Sequence, residues 1–252
     1  VAGPDLLDKA IEAHGGLERF QAAGVLTAQL SCGGFAFAMR FKRGALSSFQ
    51  GRVSTGDPRV ELSPYPDGSK RGVLERDAVR IEAEDKTVLS ERENARAAFR
   101  GLRHNLWWDD LDLLYFAGYA LWNYVCAPFM FVRPGFEVAE VAPWEENGER
   151  WRRLHVRFPA DIPTHSPEQD FYFDDEGLLR RLDYTAEVFG NWAKAAHYCW
   201  DHREFSGLVV PTRRKVFPRR RDGRPRPHPT LVWIEIEDVA VAGPLAPQAA
   251  TH

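Results

Sequence analysis

From Leu113 to Met130 the chain reads LLYFAGYALWNYVCAPFM, with apolar side chains at every angle around a helix rather than along one stripe. A helix apolar on all sides has no face to give to water, so it belongs in a large core or a membrane. At about 1.5 Å per residue the segment measures roughly 27 Å, close to the thickness of a bilayer's hydrocarbon. Asn123, Pro128, three tyrosines and the preceding Asp109, Asp110 and Asp112 favour the core instead, and a single span would orphan the strands predicted on either side. No membrane span is expected.

The flanking patterns differ in period. Leu6, Leu7, Ala10, Ile11, Leu17 and Phe20 recur at helical spacing, with Asp5 and Asp8 in the first turns where acidic side chains suit the helix dipole. His14-Gly15-Gly16 ends that helix and a short second turn follows. From Val25 the texture becomes short runs punctuated by Gly, Pro and Asp: GVLTAQLS, GFAFAMRFK, ALSSFQGRV and RVELSPYP read as successive antiparallel strands. In the second of these Phe35, Phe37, Met39 and Phe41 alternate, which predicts a strand with one apolar face. Weaker strands continue to Leu89, and 94–102 and 109–125 form a helical insert ended by Pro128 and Pro134-Gly135. A second β region then runs through FEVAEVAPW, WRRLHVRFP, QDFYFDDEG, LLRRLDYTAEV, AAHYCWDHREF, LVVPTRRKVFP and LVWIEIEDV, with a hairpin turn at Asn147-Gly148.

About ten or eleven strands without βαβ alternation exclude Rossmann and TIM architectures. No fixed period of the propeller type occurs, and no low-complexity linker divides the chain. The predicted fold class is mainly β: a curved antiparallel sheet, or open half-barrel, clasping a central aromatic helical insert at about 94–130, plus the N-terminal helix. Residues 1–244 form one domain and 245–252 a flexible tail.

Composition narrows the function classes. Hydrophobic residues make up 44% of the 252 residues, with eight Trp and sixteen Phe, enough for a sizeable core. A net charge of −3 gives no electrostatic reason to expect nucleic acid, and the basic run from Arg213 to Arg226 is diluted by prolines, so it reads as a solvated hairpin. Cys32, Cys126 and Cys199 are odd in number, far apart and outside any CxxC or Cys/His ligand spacing. They suggest a reducing compartment. The chain begins at the amphipathic helix without a charged, apolar or lipobox leader, so a cytoplasmic location is expected; a periplasmic or exported one would require a leader removed before residue 1.

The densest polar run is His197-Tyr198-Cys199-Trp200-Asp201-His202-Arg203-Glu204. On a regular strand His197, Cys199, Asp201 and Arg203 share one face, and Tyr198, Trp200, His202 and Glu204 the other. Either face offers a histidine near a carboxylate for acid–base work, or simply a polar face turned to solvent. A one-residue register error would exchange the two histidines. Thr164-His165-Ser166 places a histidine between hydroxyls, for proton transfer at a barrel mouth or for local backbone bonds at a turn. Arg181 and Asp183 share a face and suit an internal ion pair, whereas Tyr184 points the other way and offers a hydroxyl to a ligand or to a structural partner. Around the central helix, Trp108, Tyr115, Phe116, Tyr119 and Trp122 either pack as core or line a cavity. His104, His155 and His228 look isolated, and the His197/His202 pair, on opposite strand faces, cannot easily chelate one ion. No metal or cofactor is expected.

The order of helix, His-Gly-Gly, meander, helices and second meander resembles the lipoprotein-localisation-factor (LolA/LppX-like) superfamily. The match is carried by Phe173, Asp174, Gly177, Leu178 and Arg181, by Gly207, Leu208 and Pro211 in the following strand pair, and by the opening AIEAHGGLERF. The resemblance implies an incomplete barrel packed over helices with an apolar groove between them. Some members ferry acyl chains across the periplasm; others, like the violacein-pathway enzyme, rearrange an aromatic intermediate without a cofactor. The chain differs from the carriers in showing no leader and in being aromatic where they are aliphatic. The leading expectation is therefore an apolar or aromatic small molecule bound in the groove and transformed by proton transfer (cyclisation, dehydration or isomerisation). His197, Asp201 or His202 would move the proton, with His165 and Tyr184 assisting, and Trp108, Tyr115, Phe116, Tyr119, Trp122, Tyr198, Trp200 and Arg181 would contact the ligand. The alternative is a passive carrier or sensor of a lipid or acyl chain, which needs the groove and no base. The oligomeric state is open.

Overall fold

The computed structural model describes residues 5–101 and 107–242. The predicted tail, His104 and part of the helical insert lie outside the described residues. Helices α1 (Asp5–Ala13) and α2 (Leu17–Ala23) come first. Strand β1 (Val25–Gly33) then leads into a four-residue helix, α3 (Phe35–Ala38). Strands β2 (Phe49–Ser54), β3 (Arg59–Ser63), β4 (Arg71–Glu75), β5 (Ala78–Glu82) and β6 (Val88–Arg92) complete a first meander. A 3₁₀ turn at Ala95–Phe99 precedes the central helix α4 (Asp110–Cys126), and another at Phe129–Val132 follows it. The second meander is β7 (Glu137–Glu146), β8 (Glu149–Arg157), β9 (Glu168–Phe173), β10 (Leu179–Thr185), β11 (Lys194–Phe205), β12 (Leu208–Pro218) and β13 (Val232–Ala242).

All thirteen described strands form one antiparallel sheet in the order β6-β5-β4-β3-β2-β1-β13-β12-β11-β10-β9-β8-β7. The first and last strands pair along their length, Val25 opposite Ala242, which joins the two meanders at the middle. The sheet is open, with β6 and β7 as its edges, and α4 follows one edge in sequence and precedes the other. Edge strand β7 carries Glu137, Glu140, Glu145, Glu146 and Pro143, which discourage pairing with another chain. The expected mainly-β open sheet around an aromatic helix is thus observed, with thirteen described strands rather than ten or eleven.

The N-terminus of α4 is tied down by three acids. Asp109 and Asp112 form a reciprocal capping box, and Arg92 of β6 pairs with both, at 2.6 and 2.7 Å. Lys42 holds Asp110. The helix is buried nearly all round, as its pattern predicts. It approaches the first meander closely because glycines stand at the contacts: a Cβ on Gly118 would lie 2.9 Å from that of Leu74, and one on Gly72 would lie 2.5 Å from Leu114.

The motif halves that carried the family resemblance meet in space. The His14 carbonyl accepts a 3.0 Å hydrogen bond from the Val209 amide, and Arg19 donates to both Gly15 and Gly207 carbonyls. Gly15 has φ of 113°, and any Cβ there would strike the Gly207 carbonyl. Asn147 and Gly148 take φ of 53° and 83°, the left-handed pair a tight hairpin requires.

One predicted strand is absent. Residues 34–42 form α3 and a turn rather than a strand; both sides of the preceding β1 are already taken, by β2 and β13. The spacing that reads as alternation also fits a helix: Phe35 and Met39 are four residues apart and both about half exposed.

Candidate functional site

The inner face of the second meander meets α4 across a buried polar cluster. His165 comes from the β8–β9 loop, which Asn123 of α4 fastens by donating to the Pro163 carbonyl and accepting from Thr164. Arg96 also binds that loop, through the Thr164 and His165 carbonyls. The His165 ring is 1% exposed and bonded at both nitrogens, Nδ1 with Tyr119 at 3.2 Å and Nε2 with Tyr124 at 2.7 Å. A neutral imidazole accepts at one nitrogen and donates at the other, so it satisfies both phenols. Tyr184 stacks on this ring, and its hydroxyl is 3.2 Å from that of Tyr124.

His197 is fully buried on β11 with its ring against Tyr124, and neither ring nitrogen has a hydrogen-bond partner among the described residues. Arg214 of β12 donates to the Tyr124 carbonyl in the last turn of α4, where the helix dipole favours a cation, and to the Cys199 sulfur. Burial is the first cause holding these histidines neutral. His165 sits at about 3, with Arg96 contributing, and His14 and His202 at about 4. His197 lies well below its ordinary value, with Arg214 and His165 contributing.

The alternation along β11 breaks at Asp201, which has φ of 53°. Asp201 turns outward, half exposed, and pairs with Arg213 at 3.2 Å, so it is no part of an inner site. His202 consequently turns to the same side as His197, where its ring lies 6.2 Å from His14 and its Nε2 meets the Leu179 carbonyl. The opposite-face assignment of the two histidines is corrected accordingly. Among the described residues no group of three or more His, Cys, Asp or Glu is placed to hold a metal ion. His155 is not isolated but bonds Asp170 at 2.9 Å.

Arg181, Tyr198 and Trp200 stand on the outer face, across the sheet from α4. Arg181 is fully buried there and grips Asp183 through two bonds of 2.7 and 2.8 Å, with Glu146 at 2.8 Å. The rings of Trp144, Tyr172 and Tyr198 surround its guanidinium at 5.0–5.2 Å. All its charge is matched internally. Tyr198 and Trp200 line a separate outer cleft of about 460 Å³.

The apolar cavity is a groove of about 530 Å³ between α3, α4 and the second meander, in the size range of small-molecule pockets. Phe35, Met39 and Arg40 form one wall, Phe189, Trp192 and Val216 another, and Phe116, His165 and Tyr184 the floor. A further apolar space of about 40 Å³ lies deeper, sharing Phe116, Tyr184 and Val232 with the groove. Of the sequence-predicted residues, His165, Tyr184 and Phe116 line the groove. Trp108 stands behind it, in tilted ring contact with Phe189 and Phe116. Tyr119 is taken up by His165, Trp122 packs in the core with its indole nitrogen on the Ser54 carbonyl, and Tyr115 borders a different cleft beside Arg96. The wall formed by α3 escaped the sequence reading because those residues were placed in a strand.

No protein-family model matches the sequence, and no curated protein matches it. Solved structures do. A LolA superfamily protein from Nitrosomonas europaea superposes with a TM-score of 0.53 at 11% identity, over 96% of this chain and 94% of that one. The chain has the LolA-superfamily fold. A DUF1329 family protein from Desulfovibrio piger shares this LolA-like fold with a TM-score of 0.55 at 11% identity, over 97% and 96% of the two chains. A domain from Vibrio parahaemolyticus named for outer-membrane lipoprotein sorting matches it at 0.51 and 10%, over 95% and 93%. Among the described residues no helix is long and apolar enough to cross a membrane.

Proposed function

We propose that the protein binds an apolar or amphiphilic molecule in the groove and holds it unchanged, as a carrier or sensor. The observation that carries this reading is the groove itself: about 530 Å³, walled by aromatic and aliphatic side chains, with Phe35, Met39 and Trp192 exposed at 47%, 50% and 75% beside it. Exposed apolar side chains gathered in one place mark a surface that meets apolar matter. The name of the Vibrio parahaemolyticus neighbour supports a lipid-handling role, as an analogy of fold. The expected cytoplasmic placement gains no support from that neighbour.

The rival reading, cofactor-free proton transfer, is favoured by His165 and Tyr184 in the groove floor. It is weakened by the chemistry of that histidine. A general base works best with a pKa near the operating pH, and His165 sits at about 3 with both nitrogens already engaged.

Titration of delipidated protein with a fluorescent acyl probe tests the proposal. Ala36→Trp, which adds an indole to the groove wall, should weaken the probe about tenfold or more while leaving the circular dichroism spectrum unchanged. Probe affinity untouched by Ala36→Trp would place the ligand elsewhere. His165→Gln separates carrier from enzyme, since a carrier keeps its affinity and an enzyme loses turnover.

A further inference from the structure

Building on that reading, we propose that the groove takes a long-chain carboxylate, with Arg40 as the receptor for its single negative charge. Arg40 lies in the groove wall and is 3% exposed. Its guanidinium sits over the rings of Phe189 and Trp108, at 5.2 and 5.9 Å. Its Nε is buried without an acceptor, and among the described residues no carboxylate pairs with the side chain.

The other large buried arginines have side-chain partners. Arg181 has Asp183 and Glu146, and Arg214 has the α4 carbonyl and a sulfur, although its Nε, like that of Arg40, has no acceptor among the described residues. A buried charge without a carboxylate partner is costly, and an arriving anion would relieve that cost at Arg40. Burial alone lowers the Arg40 pKa from its ordinary value, in keeping with an uncompensated cation.

The surroundings select the sign and size of the headgroup. Lys194 and Arg226 also line the groove and are exposed, and no acidic side chain is among its described lining residues. These cations would steer an anion toward the groove, where Arg40 waits deeper. One buried guanidinium balances one carboxylate, whose two oxygens fit its fork. A phosphate monoester brings roughly 1.5 to 2 charges, more than the one guanidinium beside Phe189 and Trp108 balances.

The test is calorimetric titration at about pH 8 with four probes sharing a twelve-carbon chain: dodecanoate, dodecanol, dodecyl phosphate and dodecyltrimethylammonium. Wild type should bind dodecanoate at least about tenfold more tightly than dodecanol, the worth of one charge-assisted hydrogen bond. Arg40→Met should abolish that preference while keeping dodecanol affinity, and Arg40→Lys should retain part of it. Retained dodecanol binding also certifies that each variant is folded. The assignment is overturned if wild type binds dodecanoate and dodecanol equally, if Arg40→Met keeps the preference, or if dodecyl phosphate is the tightest ligand. If no probe binds wild type, the groove reading falls and the headgroup assignment with it. If dodecanol binds and Ala36→Trp blocks it while charge has no effect, the groove stands and Arg40 is not the receptor.

Discussion

The imidazole of His165 lies flat on the phenol ring of Tyr184, 3.9 Å between centroids and 7° from parallel. The stack joins a loop to a strand beneath the groove floor, and Tyr124 of the central helix is bonded to both members. Three separate elements are thereby fixed around one neutral histidine.

Tyr124→Phe removes the partner of His165 Nε2 and strands a buried ring nitrogen. Urea unfolding should show a loss of about 1–3 kcal/mol, the cost of an unmet buried polar group. Tyr184→Phe breaks only the bond between phenols and should cost less, because Tyr124 keeps His165. Equal losses would mean that the His165 Nε2 bond is worth no more than the bond between the phenols.

Acid should destabilise the fold before carboxylates are protonated. His14 and His202 sit at about 4 and His165 at about 3, against about 6.5 in the unfolded chain. Between these values the unfolded chain binds more protons than the folded one, so stability falls as pH drops from about 6.5 toward 4 and is flat above. Each fully buried histidine is worth about 3 kcal/mol at most over that window. Urea midpoints measured from about pH 7.5 down to 4.5 should trace this fall, and His14→Gln should make it shallower; an unchanged slope would show that His14 is not a contributor.

Arg181→Met should cost about 3 kcal/mol, because Glu146 is left buried without its counter-ion and Asp183 keeps only the Arg219 cation, at 3.3 Å. Arg40→Met leaves no such orphan, so it should be neutral or stabilising in the absence of ligand. Chemical denaturation of both variants side by side checks the contrast.

Gly118→Val should destabilise by about 1–3 kcal/mol, since the new side chain meets Leu74 where α4 crosses the first meander. Introducing Leu74→Ala as well should recover part of the loss in a double-mutant cycle. Simple additivity would show that the helix had shifted rather than collided.

The elements written as long, regular patterns were legible in the sequence: the all-round apolar helix, the amphipathic α1 and the strands of the second meander. The Arg181–Asp183 pair followed from strand alternation alone. What failed were places where local pattern is ambiguous or a single backbone angle decides. Residues 35–41 satisfy both a period of two and a spacing of four, and the local pattern does not decide between them. At Asp201 one left-handed residue reverses which side chains face inward, and nothing in a strand pattern marks it. Arg40 and Arg214 were invisible because an arginine's burial depends on neighbours brought from distant parts of the chain.

Every pairing between neighbouring described strands but one joins strands consecutive in sequence, the exception being β1 with β13. The sheet is therefore two locally assembled ribbons sewn together at one seam, and the entropic cost of closing a long loop falls almost wholly on that seam. Linking β13 to β1 through α1 and α2 and opening the chain between β6 and β7 would place all thirteen described strands in the sheet in their sequence order. Such a permuted chain would keep the same contacts at a much lower mean sequence separation, the quantity with which folding rates fall.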